Sequence, residues 1–354
     1  MPRYRVALVG NLFQPDYLDS VETPDAANEF DTPRAVRCLM DALRTGGHDA
    51  IFIQSDEHAY FRFLERDFDV VFNLAEGVTV GRQLMRGESR ESHIPSMLEL
   101  LGIPYTGSGP LCLALCLDKV RTKEICLLYG LPTPRYQVFT RPDDRLHDNL
   151  RLPLIAKLSR EGSAIGLSYD NVTDTPGQLY EKVAYLLETY QEPVLVEEYI
   201  EGREFTVGVL GNEEPIVLPI VEIKFNPGIP RNISLQGYFS EDIEALFDPA
   251  ELTAEYNHYR EVPARIDDDL YRRLTELSVQ VYRALGCRDW CRMEYRMDRE
   301  GNLYILELNP IAGIEPGYHL PAAAEAIGIG YNQLILMILN FALKRYGMEI
   351  SEPA

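Results

Sequence analysis

Basic charge is scarce in this chain: 34 Lys and Arg stand against 55 Asp and Glu, a formal net charge of -21 over 354 residues. That sign excludes nucleic acid as the expected partner, because phosphate binding needs clustered cations. It also disfavours an anionic membrane surface. An anionic ligand has to be held by a few local Lys and Arg residues against the general field. No apolar run approaches the length of a bilayer span, and Met1-Pro2-Arg3-Tyr4-Arg5 leads straight into a strand pattern, not a signal-type segment. The expected location is therefore cytoplasmic. Cys38, Cys112, Cys116, Cys126, Cys287 and Cys291 sit in apolar periodic stretches and lack zinc spacing. Cys112 and Cys116 are one helical turn apart without a second pair, so all six are read as reduced core residues. The six His make no metal box, and neither an internal repeat nor a low-complexity tract is present.

The chain is too long for one small core and suits two or three domains. Arg5–Gly10 reads as a buried strand, Arg34–Thr45 as a helix, Ala50–Ile53 and Asp69–Asn73 as further strands, and Ile94–Leu101 as a helix. This alternation predicts a parallel open sheet. Ligands bind beyond the carboxyl ends of such strands, which places Asn73-Leu74-Ala75-Glu76-Gly77 at a site. Glu88, Arg90 and Glu91, in the loop that follows, are either substrate contacts or solvated surface. Tyr105-Thr106-Gly107-Ser108-Gly109-Pro110 punctuates the chain. One helix is expected from Leu111 to Tyr129, carrying Asp118, Lys119 and Lys123. Pro153–Lys157 is a strand, followed by a Gly/Ser loop, Ser159 to Gly166, whose N–H groups suit a phosphate while Lys157 supplies charge. The spacing is not that of a Walker A loop, and such a loop alone is weakly specific. Val194–Ile200 turns abruptly acidic at Glu197 and Glu198, and the chain returns through Phe205–Leu210. About 225–265 shows no clear period and reads as a lid or binding loop. Asp267 caps a helix running to Gly286, and a last helical region spans Leu320–Lys344.

Two alternating stretches, Cys291–Met297 and Leu303–Asn309, flank a run of turn formers. With Arg299 to Asn302 as the loop, Glu294 falls opposite Glu307 and Arg292 opposite Asn309. Facing carboxylates destabilise a bare sheet by up to about 1 kcal/mol, so the pattern implies a cation between them. Two Glu and one Asn suit a hard divalent ion. A loop one residue longer or shorter breaks the facing. The same pattern also fits an exposed hairpin with scattered charges.

Six blocks in register resemble the ATP-grasp superfamily, and within it the D-alanine–D-alanine ligases. They are Leu98–Gly109; Asp118-Lys119 with Thr122-Lys123; Lys157 with Ser159–Ser163; Glu197-Glu198 with Glu204-Phe205; Arg292 with Glu294; and Glu307-Leu308-Asn309. The resemblance covers nearly the whole chain after about residue 68. It implies an ATP-grasp fold of α/β and α+β type. A Rossmann-like parallel-sheet domain (1–108) precedes a small lobe (109–192) and a large lobe (193–354) with a lid at about 225–265. It further implies that Lys119 and Lys157 hold the phosphates of ATP, that Glu197, Glu198 and Ile200 meet the adenine, and that Glu204 meets the ribose. Glu294, Glu307 and Asn309 match the ligands of Mg2+, two ions being expected and Mn2+ a substitute. Arg292 matches the arginine on the transferring phosphoryl group, Gly313 the backbone N–H at the tetrahedral intermediate, and Ser163 the loop over the phosphates. Family habit implies small-molecule substrates and a homodimer. The chemistry implied is ATP-dependent joining of a carboxylate and an amine through an acyl phosphate.

The amino-acid half departs from that pattern. The family's Gly-Gly-x-Ser-x-Glu segment is replaced by Gly10-Asn11-Leu12-Phe13-Gln14-Pro15-Asp16, and its His-Gly by Ala75-Glu76-Gly77. A serine that receives the second D-alanine's carboxylate aligns with Tyr318. The lid lysine has no match, with Arg231 or Arg260 as candidate replacements and Tyr256 and Tyr259 near its place. The reading adopted is a ligase with a substrate pair other than two D-alanines, with Glu76 and Tyr318 facing the substrate. A D-alanine–D-alanine ligase with altered contacts and a non-catalytic ATP-binding protein are the alternatives.

Overall fold

The computed structural model describes residues 3–14, 25–81, 83–226 and 258–350. Arg231, Tyr256 and most of the expected lid lie outside them. Three parallel strands open the chain in the order β2-β1-β3: Arg5–Gly10 (β1), Asp49–Gln54 (β2) and Val70–Asn73 (β3). Both faces of this sheet are covered, which explains its unbroken apolar runs. Val6, Leu8 and Phe72 face one core, with the Pro33–Thr45 helix. Ala7, Val9 and Val71 face the other, with Phe63, Ile94 and Leu98. The first core also takes in Leu334, Ile335 and Ile338 of the Tyr331–Arg345 helix, so the C-terminal helix packs beside the N-terminal sheet.

Two short strands, Thr79–Val80 (β4) and Gln83–Leu84 (β5), pair with each other. A four-stranded antiparallel sheet runs β6-β9-β7-β8, from Tyr136–Phe139 (β6), Leu154–Leu158 (β7), Val172–Thr173 (β8) and Val194–Glu198 (β9). The Pro176–Tyr190 helix covers it, started by a Thr175/Gln178 capping box. The largest sheet runs β13-β12-β10-β14-β15, with Ile216–Val217 (β11) on β10. Its strands are Arg203–Leu210 (β10), Val221–Phe225 (β12), His258–Glu261 (β13), Trp290–Met297 (β14) and Leu303–Asn309 (β15). The far end of the stretch read as a lid is thus strand β13, paired with β12. The Asp268–Leu285 helix packs Leu270, Leu274 and Val281 on this sheet, and Asp267 Oδ1 accepts from Leu270 N at 2.8 Å.

The single helix expected over Leu111–Tyr129 is two, Pro110–Leu117 and Lys119–Leu128. Asp118 breaks it with an extended ψ of 98° and caps the second helix, accepting from Val120 N and Arg121 N. Likewise the last helical region is two helices, His319–Glu325 and Tyr331–Arg345. Trp290, fully buried, stacks on Phe72 at 5.9 Å and joins the first sheet to the third. Gly107, at φ +92°, lies so close to the Trp290 ring that a Cβ would meet it at 3.2 Å.

Candidate active site: two clefts with a common wall

The hairpin β14–β15 brings Glu294 opposite Glu307 and Arg292 opposite Asn309. The route to that facing differs from the expected one. Asp298 N donates to Asn302 O at 3.0 Å, so the loop is three residues, one fewer than expected, and ends on Gly301 at φ +85°. A bulge then leaves Leu306 unpaired between Ile305 and Glu307. Without it Glu294 would face Leu306, and every later side chain of β15 would point to the other face. Loop and bulge cancel.

Two clefts open around this hairpin. Lys157, Glu197, Glu198, Ile200, Glu204 and Glu294 line one. Glu76, Arg292, Asn309, Gly313 and Tyr318 line the other. Lys119, Glu161, Gly162, Ser163 and Glu307 line both and form the common wall. The residues matched to nucleotide, metal, phosphoryl group and substrate therefore lie on one cleft or on both, and Glu91 lines the second; Glu88, Arg90 and Arg260 line neither, and Arg231 lies outside the described residues.

In the first cleft negative charge is matched. Glu197, 1% exposed, sits between Lys123 (Nζ to Oε2, 2.6 Å) and Lys157, which bonds its other oxygen. Burial pushes its carboxyl up, but the two ammonium groups outweigh this and hold it down at about 2. Glu204 bonds Arg296, whose guanidinium lies over the rings of Tyr199 (5.3 Å) and Phe225 (5.6 Å) and donates to Ile200 O at 3.3 Å. Arg296 was not singled out from the sequence. The signal was there: Arg292, Glu294 and Arg296 alternate with the buried Met293 and Tyr295.

At the common wall Lys119 Nζ bonds Glu161 O and lies 3.4 Å from Glu307 Oε2. The helix break at Asp118 makes this possible by placing Lys119 in the first turn of the second helix. Arg292 Nε reaches Glu294 Oε1 at 3.0 Å. Burial raises the Glu294 carboxyl to about 7; Arg292 opposes this, and Glu307 and Glu204 add to it. Glu307 shifts the other way: burial raises it, but Lys119, Lys157 and Arg292 outweigh that. Glu294, Glu307 and the Asn309 amide offer oxygen donors only, which suits a hard divalent ion such as magnesium. Asn309 Nδ2 is buried with no hydrogen-bond partner among the described residues, so nothing on that nitrogen pins the amide away from an ion. The residues present fit the group.

Ser163 and Ala164 take left-handed φ values of 48° and 58° in succession, a conformation non-glycine residues adopt at a cost of about 1–2 kcal/mol each. The loop is gripped by the N-terminal part of the chain. Gly162 N donates to Glu29 Oε1 at 3.1 Å, Gly166 N to Asp25 Oδ2 at 2.6 Å, and Asn28 Nδ2 to Ser163 O at 3.3 Å. Across the second cleft the Tyr318 ring lies against Gly313, where a Cβ would meet it at 3.1 Å. Arg260 donates to Gly317 O, next to Tyr318.

Away from both roles, Cys287 joins Cys112 and Cys116 at sulfur distances below 4.8 Å, so the pair noted in the sequence does gain a third thiol. All three are buried in the core under the large sheet. Among the described residues no helix is long and apolar enough to cross a membrane.

The architecture is shared with solved structures along almost its whole length. The D-alanine–D-alanine ligase of Bacillus anthracis complexed with ATP superposes with a TM-score of 0.72 at 21% identity, over 97% of this chain and 99% of that one. The VanG D-Ala:D-Ser ligase of Enterococcus faecalis gives 0.70 at 21%, over 96% and 100%. The fold is ATP-grasp, behind an N-terminal parallel sheet.

The family model "D-ala D-ala ligase C-terminus" matches residues 126–340. A D-alanine–D-alanine ligase of Pelotomaculum thermopropionicum is 32% identical over 322 residues, 88% of this chain and 92% of the relative. An uncharacterized protein of Sinorhizobium fredii, y4sG, is 34% identical over 331 residues, 91% of each chain. The chain belongs to the D-alanine–D-alanine ligase family. It is an ATP-dependent ligase that forms C–N bonds.

Proposed function

We propose that this ligase joins a small carboxylic acid to an amine through an acyl phosphate, and that its substrates are not two molecules of D-alanine. The observation that carries the reading is the common wall: Lys119, Ser163 and Glu307 border both clefts, so a γ-phosphate in one and a carboxylate in the other meet there. A carboxylate is a poor electrophile. Its oxygen attacks the γ-phosphorus, the bond to ADP breaks, and the acyl phosphate formed has a good leaving group. The amine lone pair then attacks the carbonyl carbon, the nitrogen loses a proton, and phosphate departs.

In this reading Lys119 and Lys157 hold the phosphates, and Arg292 steadies the group in transfer. Glu197, Glu198 and Ile200 form the adenine edge, Glu204 meets the ribose, and the Gly313 N–H meets the oxyanion. Glu294, Glu307 and Asn309 would hold magnesium, which when bound neutralises phosphate charge. Ser163 and its loop exclude water, to which an acyl phosphate would otherwise be lost. In the same reading 1–108 serves the substrate, and the two lobes, 109–192 and 193–354, serve the nucleotide.

Glu76 and Tyr318 carry the substrate half of the reading. A phenol against Gly313 fills space where a small hydroxyl would leave room for a compact carboxylate, and Glu76 adds negative charge to the cleft. A site built around other polar groups rejects such a partner by orders of magnitude. The test is ADP release with magnesium and ATP, with D-alanine alone and then across amino acids, dipeptides and amines. Little or no dipeptide is expected from D-alanine. Robust synthesis, at roughly 1 per second or more, would sink the substrate half of the reading.

A further inference from the structure

The second cleft holds more negative charge than its own cations compensate. Arg90, 2% exposed, is the hub of the N-terminal wall. It bonds Glu29, lies 3.4 Å from Glu161 Oε2, and donates to Arg160 O at 3.2 Å. Lys119 is committed to Glu161 O and Glu307, and Arg34 reaches Glu315 at 3.9 Å on the opposite side. Asp31 accepts from Asn11 N at 2.7 Å. Two carboxylates remain. Glu76 and Glu91 both line the cleft, and neither has an ion pair or a side-chain hydrogen bond among the described residues. Glu91 is only 9% exposed, and what surface it keeps faces the cleft.

A carboxylate nine-tenths buried without a partner is costly unless something brought in from solution completes it. Burial raises both groups, with Glu29 adding to it and Glu91 raising Glu76 further; Arg90 lowers both and Lys119 lowers Glu91, without cancelling the rise. A bare metal ion is a poor match for this wall. Among the described residues no three His, Cys, Asp or Glu ligand atoms on this wall lie within 4.8 Å of one another. An ammonium or guanidinium, with several N–H donors spread over a larger group, suits separated carboxylates.

We infer that the substrate of this cleft carries a positively charged nitrogen held by Glu76 and Glu91, and is a basic amino acid, an aliphatic diamine or a guanidine. This nitrogen is not the one acylated. A nitrogen held between carboxylates keeps its proton, and a protonated amine has no lone pair with which to attack. The reacting group, a carboxylate or a second amine, lies at the other end of the same molecule, toward Lys119 and Arg292. The inference rests on the reading of this cleft as the ligase's substrate site.

Two measurements test it separately. Calorimetric titration of lysine, arginine, putrescine, alanine and glutamate, with a non-hydrolysable ATP analogue and magnesium, reads the cleft without turnover. The three cations are expected to bind more tightly than alanine or glutamate. Glu76→Gln and Glu91→Gln, which keep shape and remove charge, should each weaken cation binding at least tenfold. Both should leave affinity for the ATP analogue within about twofold, since that cleft is lined by other residues. ADP release with each compound, paired in turn with a panel of small carboxylic acids and of amines so that every mixture holds both an acid and an amine, should follow the same order. Binding by alanine or glutamate equal to that of the cations overturns the inference, as does cation binding unchanged in both variants. Cation binding without ADP release overturns the ligase reading of the cleft and leaves the cation site standing.

Discussion

The two clefts share a wall yet treat negative charge in opposite ways. In the first cleft Glu197 is buried between Lys123 and Lys157, and Glu204 is closed by Arg296. On the other side Glu76 and Glu91 stand without partners in a region that also holds Asp31, Glu29 and Glu161. Charges closed by the protein itself preorganise a surface for a ligand already fixed in kind. Charges left open are completed by the ligand and therefore select it. The difference has a counterpart in the sequence: the departures Glu76 and Tyr318 fall on the second cleft, and the matched Lys157, Glu197, Glu198, Ile200 and Glu204 on the first, while the matched Arg292, Asn309 and Gly313 line the second as well.

The largest effect should come from the common wall. Glu307→Gln keeps the shape and removes a charge that faces Glu294 and Lys119. Turnover should fall by about 10²–10³ or more, read as initial ADP release. Nucleotide affinity should stay within roughly tenfold, about 1.4 kcal/mol, because Lys157, Glu197, Glu198 and Glu204 on the first cleft are left unchanged. Full activity with magnesium in this variant would remove Glu307 from the chemistry.

Opening a closed charge should turn the first cleft into something like the second. Lys123→Met leaves Glu197 buried with Lys157 as its only remaining ammonium. Removing one partner of a buried pair costs about 3 kcal/mol or more, measurable by denaturant unfolding. Lys157 is then drawn more firmly onto Glu197, so the KM for ATP should rise. A variant as stable as the parent would show that the triad does not carry the stability assigned to it.

A smaller effect tests the helix break. Asp118→Ala removes the cap on Val120 N and Arg121 N and the contact with Arg160 at 3.1 Å. Loss of such a cap costs about 1 kcal/mol. It should also loosen Lys119 and raise the KM for ATP severalfold, whereas Asp118→Asn, which caps about as well, should restore much of both. Equal behaviour of the two variants would separate the cap from the placement of Lys119.

Much of this was legible because period-two and period-3.6 patterns are local properties. The strands of the first sheet, the Asp267-capped helix and both strands of the hairpin follow from them. The facing of Glu294 and Glu307 was legible for a subtler reason. The loop is one residue shorter than the pattern implies and the bulge restores the register, so two departures cancel; regular alternation from Leu303 and Ile305 alone would put Glu307 on their buried face. The bulge at Leu306 has no local signature, since its cause is the need to keep Glu307 on the cleft face. The break at Asp118 was hidden because Leu111–Tyr129 is apolar and helical on both sides of it. The open charges of the second cleft were out of reach for another reason. Glu29, Asp31, Glu76 and Glu91 come from separate loops, and only the fold reveals which of them Arg90 neutralises.

The smallest expected effect lies in the response of stability to pH, and it sets the carboxyls of the second cleft and the common wall against Glu197. Burial raises Asp31 and Glu91 to about 7, as it does Glu161, with Arg90 opposing the rise at the last two. The groups that face them from neighbouring elements are Glu29, Glu76, Glu192, Glu315, Cys112, Arg86, Arg90 and Lys119. Below about pH 4 such carboxyls are protonated in the folded and unfolded chains alike. Between about 4 and 7 the unfolded chain releases their protons and the folded chain does not, so stability falls as pH rises through this window. Glu197 has the opposite sign: held at about 2, it contributes stability above the unfolded value near 4 and loses it only as pH falls toward 2. The ligand-free protein should therefore melt at a temperature on the order of 5 °C lower at pH 8 than at pH 5. Glu91→Gln should flatten that fall, because a neutral amide there has no proton to lose, and lysine or putrescine should do the same for the parent at pH 8. Calorimetric scans over this range decide the matter. A melting temperature that rises with pH, or a slope untouched by Glu91→Gln, would mean that the second cleft carries no open charge, and its contrast with the first would disappear.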